Sequence, residues 1–146
     1  MKRTIMLAAL LLGACAKGAQ GEPDIRVEDA WARETVAGQT ATAAYMTIAN
    51  SGKGDDRLLS ISAEPPVMAM IHQTSNEGGV SKMRPVDDGL PIAAGQSVKL
   101  APGGTHVMIM GLGTALKPGE TLKLKLKFER SGEKSVDATV AGAESR

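Results

Sequence analysis

Residues 121–129 read TLKLKLKFE, with Leu122, Leu124, Leu126 and Phe128 alternating with Lys123, Lys125, Lys127 and Glu129. Successive side chains of a strand point to opposite faces, so this period of two predicts a strand with one face in a core and one in water. Val136, Ala138 and Val140 repeat the period in a final strand. The lysine row reads as a solvated face that also discourages edge pairing. Upstream, from Ile25 on, no window sustains a helical period. Short apolar runs are broken by Gly, Pro, Asn and Asp about every eight to twelve residues, the spacing of a sandwich or barrel.

The pattern predicts strands over residues 27–33, 41–49, 57–63, 67–74, 80–84, 97–100 and 105–112. A turn over 50–54 closes the second of these. Pro65-Pro66 stops pairing after the third. The runs 67–74 and 80–84 form a hairpin around Asn76-Glu77-Gly78-Gly79. No internal repeat and no second domain is visible. The expected fold class is all-β. A chain of 146 residues fits one domain and needs no covalent staple.

The amino terminus departs from this pattern. Lys2 and Arg3 precede a short apolar run over residues 4–12, followed by Gly13, Ala14 and Cys15. The run is too short to span a bilayer as a mature helix. It resembles a bacterial lipoprotein signal, with residues 1–14 removed and Cys15 lipidated. Ala16 after the cysteine favours the outer membrane of a Gram-negative cell. Residues 15–24 are small and polar and read as a flexible tether, leaving 25–146 as the folded domain.

Composition removes several functions. Lys+Arg is 17 and Asp+Glu is 16, a net charge of +1. Losing Lys2 and Arg3 with the leader would bring that to −1. A near-neutral chain without a basic stripe has no electrostatic basis for nucleic-acid binding. The aromatic content of 2% amounts to Trp31, Tyr45 and Phe128, too few for base-stacking platforms. The lone Cys15 excludes an internal disulfide and a CxxC pair. No Ser-His-Asp order or phosphate loop is present, so an enzyme is not expected. Asp55-Asp56 and Asp87-Asp88 lie in turn-like sequence and read as solvated.

What remains is concentrated between Met68 and Met110. This window holds both histidines, His72 and His106, and Met68, Met70, Met83, Met108 and Met110. Strand period places Met68, Met70 and His72 on one face, and His106, Met108 and Met110 on one face. Methionine is ordinary core filler, and a lone histidine is commonly a hydrogen-bonded residue. Here both histidines share faces with methionines on two separate strands. Thioether and imidazole are neutral donors that suit Cu(I) over zinc or oxygen-loving cations. A blue-copper centre would need a thiolate, and Cys15 stands at the tether.

His72, ten residues, Met83, twenty-two residues and His106-Val107-Met108 make a His/Met motif. It resembles that of the periplasmic copper chaperone family PCuAC, which has twenty-one residues in the second interval. The extra residue falls in the connection over 86–104, where insertion is absorbed easily. Residues 27–33, 83–86 and 106–112 also look like that family. The resemblance implies a cupredoxin-like Greek-key β-sandwich or barrel and a Cu(I) set of His72, Met83, His106 and Met108. Met70 and Met110 fall to the wall of the site, although their faces allow either to replace Met83 or Met108. The resemblance further implies a periplasmic carrier that delivers copper to an accepting protein, cytochrome c oxidase or its assembly factors. The His- and Met-rich tail of some members is missing over 138–146. The competing expectation is a metal-free, lipid-anchored adhesion or assembly module on the same scaffold.

Overall fold

The computed structural model describes residues 21–142. The leader, Cys15 and the tether before Gly21 lie outside the described residues. Every regular element among the described residues is a strand. In order they are β1 (Ile25–Arg33), β2 (Ala41–Asn50), β3 (Asp56–Ala63), β4 (Met68–Glu77) and β5 (Val80–Pro85). Then come β6 (Leu90–Ile92), β7 (Ser97–Leu100), β8 (Thr105–Met110), β9 (Thr121–Phe128) and β10 (Gly132–Ala141). The strands form one sheet in the order β5-β4-β8-β2-β1-β10-β9-β3-β6, with β7 also paired to β2. β3 packs beside β4, so the sheet curls back on itself.

β2 organises this curl. One edge pairs antiparallel with β1; the other is shared by β8 along Ala41–Ala44 and β7 along Met46–Ala49. Its alternate residues Ala44, Met46 and Ile48 enter the core. From the neighbouring strands they meet Val107 and Ile109 of β8, Ala69 and Ile71 of β4, and Leu58 and Ile61 of β3. Leu124, Leu126 and Phe128 of β9 fill the far side, as the sequence period requires.

Three expectations are corrected. The lysine row is solvated, but β9 is not an edge, because it pairs with both β10 and β3. Glu133 and Asp137 of β10 stand opposite Lys127 and Lys123, so the row belongs to a mixed-charge outer face. β6 was not expected; three residues around Pro91 carry no readable period. Asp56 is not solvated but 4% exposed. Its carboxylate accepts the backbone N–H groups of Arg57 (2.8 Å), Arg130 (2.9 Å) and Ser131 (3.0 Å). Burial acts to raise its pKa. The Ser131 side chain, close by but outside hydrogen-bond geometry, and the three amides outweigh this and hold the carboxyl below its ordinary value.

Candidate copper site

The hairpin of β4 and β5 is tighter than its sequence suggests. Pairing continues to Glu77 opposite Val80, leaving only Gly78 and Gly79 in the turn. Both have positive φ, 62° and 82°, which is why glycine stands at both places. This short turn fixes the register of β5, and with it Met83, which lies opposite Thr74.

On its other edge β4 pairs with β8. Met68 faces Met110, Met70 faces Met108 and His72 faces His106. The intervening Ala69, Ile71, Val107 and Ile109 are buried in the core. The two histidines and four methionines therefore share the outer face. The core-filler reading fails for Met68 and Met70, whereas Met108 and Met110 are partly buried and Met46, at 2% exposed, fills the core. Met68, Met70 and Met83 remain 56%, 40% and 49% exposed. Water-facing thioethers of this number need another reason.

The imidazoles differ in their bonding. The His72 and His106 ring centroids are 6.2 Å apart at 70°. Nδ1 of His106 is 3.0 Å from the carbonyl oxygen of Gly104. A carbonyl only accepts, so Nδ1 is the donor, and in the neutral ring Nε2 is left with the lone pair a metal needs. Both ring nitrogens of His72 are shielded from solvent and have no hydrogen-bond partner among the described residues. A shielded polar pair without partners is costly in a native fold and calls for a ligand or another function.

Register orders the other donors around this pair. Met108 follows His106 by two residues, and Met70 precedes His72 by two, so His72, His106, Met70 and Met108 form a compact square. Met83 lies on the opposite diagonal of His72, toward the hairpin tip. Measured along β4, Met83 is level with Thr74 and Met108 with Met70, a separation of roughly 13 Å by strand rise. All four motif residues share one face, with Met83 outside the square.

Residues 25–140 match the family described as "Putative lipoprotein LpqE-like". The chain belongs to this LpqE-like family, which is of PCuAC type. A relative from Leifsonia xyli subsp. xyli (strain CTCB07), named "Putative lipoprotein Lxx21020", is 31% identical over 86% of this chain and 81% of its own. Among solved structures, CuI-DR1885 from Deinococcus radiodurans is 33% identical, with a TM-score of 0.60 over 90% of this chain and 87% of its own. The copper-bound PCuAC domain from PmoF2 is 26% identical, with a TM-score of 0.65 over 81% and 92%. The fold of this LpqE-like domain is thus the expected cupredoxin-like β-barrel.

Two features of the LpqE-like face escaped the sequence pattern. Tyr45 of β2 continues the histidine row, its ring centroid 6.5 Å from that of His106, and the Trp31 ring of β1 lies tilted against it with centroids 4.5 Å apart. An irregularity between Glu28 and Trp31, with Asp29 at φ 51°, resets the pairing so that Trp31 faces Tyr45. The Gly104 carbonyl is the second; no side-chain signal marks a backbone acceptor. Among the described residues no three His, Cys, Asp or Glu side chains gather as a metal site. The donors on this face are instead neutral nitrogens and sulfurs, a set that fits a soft monovalent ion.

Proposed function

We propose that this LpqE-like domain binds Cu(I) on the outer face of β4, β5 and β8 and passes it to a copper-accepting protein. His72 carries the reading: its two shielded nitrogens lack partners, and it stands opposite an imidazole whose proton is fixed on Nδ1. His106 and Met108 form a clip on β8, His72 faces it from β4, and Met83 enters from the β5 arm. Copper here is cargo. Neutral donors leave its charge uncancelled, and the half-exposed thioether of Met83 is open to an incoming acceptor ligand. We place the domain in the bacterial periplasm, tethered to a lipidated Cys15 through the residues before Gly21, with the outer membrane favoured. Cytochrome c oxidase or one of its assembly factors is the acceptor class we favour, on the strength of the motif resemblance. The lipoprotein names of the family and of the Leifsonia relative support the anchor.

Anaerobic titration with Cu(I) against a competing chelator tests the reading. One tightly held ion per chain is the expected result. No binding would leave the metal-free module. The compact square favours Met70 as the alternative fourth donor. Comparing Met83→Leu with Met70→Leu in the same titration decides between them, because only the true ligand's loss weakens retention strongly.

A further inference from the structure

The methionines that the first site does not use form a group of their own. Met68 and Met70 stand two residues apart on β4, and Met110 lies directly opposite Met68 on β8. Met68 and Met70 are both partly open to water, at 56% and 40% exposed, while the strand turns their neighbours Ala69 and Ile71 into the core. On the far side of β8, the residues opposite Met108 and Met110 are Ala43 and Ala41, whose small side chains leave the thioethers room to move. Directly opposed Cβ atoms are about 5 Å apart, and residues i and i+2 about 6.6 Å, so flexible methionine arms bridge both gaps.

We propose that Met68, Met70 and Met110 form a second, thioether-only site for a soft monovalent ion, Cu(I) or Ag(I). It lies beside the histidine pair on the same face. Three neutral sulfurs without imidazole bind more weakly than the mixed set, so the second site loads after the first. It exchanges ions with solvent more readily because two of its methionines are exposed. Met108 of the first site lies directly opposite Met70 of the second, so adjacent sulfurs give a path from one to the other.

The test uses the full-length protein with its methionine methyl groups labelled by carbon-13, titrated with Ag(I) as a redox-stable soft ion. The first equivalent is expected to shift the Met108 methyl and the imidazole signals of His72 and His106. The second should shift the methyls of Met68, Met70 and Met110. In a Met68→Leu, Met70→Leu, Met110→Leu variant the second equivalent should be lost and the first retained. These are volume-conserving changes on an outer face, and circular dichroism checks the fold. A His72→Ala, His106→Ala variant should lose the first equivalent and keep the thioether one, so the two sites fail separately. A single equivalent in the native protein, or a second that leaves those three methyls unmoved or survives the leucine variant, would overturn the proposal. So would movement of the Met70 methyl with the first equivalent.

Discussion

His72 and His106 face each other across β4 and β8 with ring centroids 6.2 Å apart, yet only His106 is held by a hydrogen bond from its ring. The asymmetry separates copper binding from stability. His72→Phe keeps a planar ring but removes two shielded nitrogens without partners. Losing a supporting neighbour of a metal ligand weakens binding by roughly 10–100-fold, and losing the ligand itself should cost at least that. The apo protein should be as stable as before or more so, since an unpartnered buried polar group is a penalty removed. Chelator competition and thermal unfolding of the apo form check the two halves. A less stable apo variant would mean that His72 is structural.

Met108 and Met110 are neighbours on one face of β8, but the motif gives them different work. Met108→Leu should weaken retention of the first Cu(I) far more than Met110→Leu does. Equal losses in a competition titration would overturn the ligand choice.

The two-glycine turn holds the register of Met83. A non-glycine residue at positive φ costs about 1–2 kcal/mol, so replacing Gly78 and Gly79 with alanine should fray the hairpin while leaving the barrel folded. Copper retention should then fall about as far as in Met83→Leu. Combining the turn change with Met83→Leu should add little, because both act through one arm. Additive losses would show that the turn acts elsewhere.

Asp56 gives the fold an acid limb. Its carboxyl titrates below the ordinary 3.8 when folded, so its contribution is present above that pH. The contribution fades as pH falls through the folded value. Asp56→Asn keeps an acceptor for Arg57 and Arg130 but can turn an NH2 group toward the Ser131 amide. It should lower stability by about 1–3 kcal/mol near neutrality and flatten the loss below the ordinary value. Urea unfolding across pH measures both effects.

Much of this was legible beforehand because strand period is a local property. The alternation of Leu124 and Leu126 with Lys125 and Lys127 predicted both faces of β9, and the same rule put His72 with Met70. Pairing is not local. Nothing in the sequence indicates that Met68 meets Met110, or that Tyr45 stands beside His106. The failures have the same origin. Asp56 looked solvated because its partners, Arg130 and Ser131, are more than seventy residues away. The lysine row looked like edge protection because the strand on its other side, β3, comes from far upstream.

Along residues 68–72 of β4 and 107–110 of β8, alternate residues enter the core and the ones between carry thioethers and the His72 imidazole on the other face. Each face can therefore change while the other stays as it is. Exchanging sulfurs for carboxylates on the outside would retune the preferred ion without repacking a single aliphatic side chain within. A one-residue slip of β4 would instead exchange the two inventories, putting isoleucine in water and imidazole in oil.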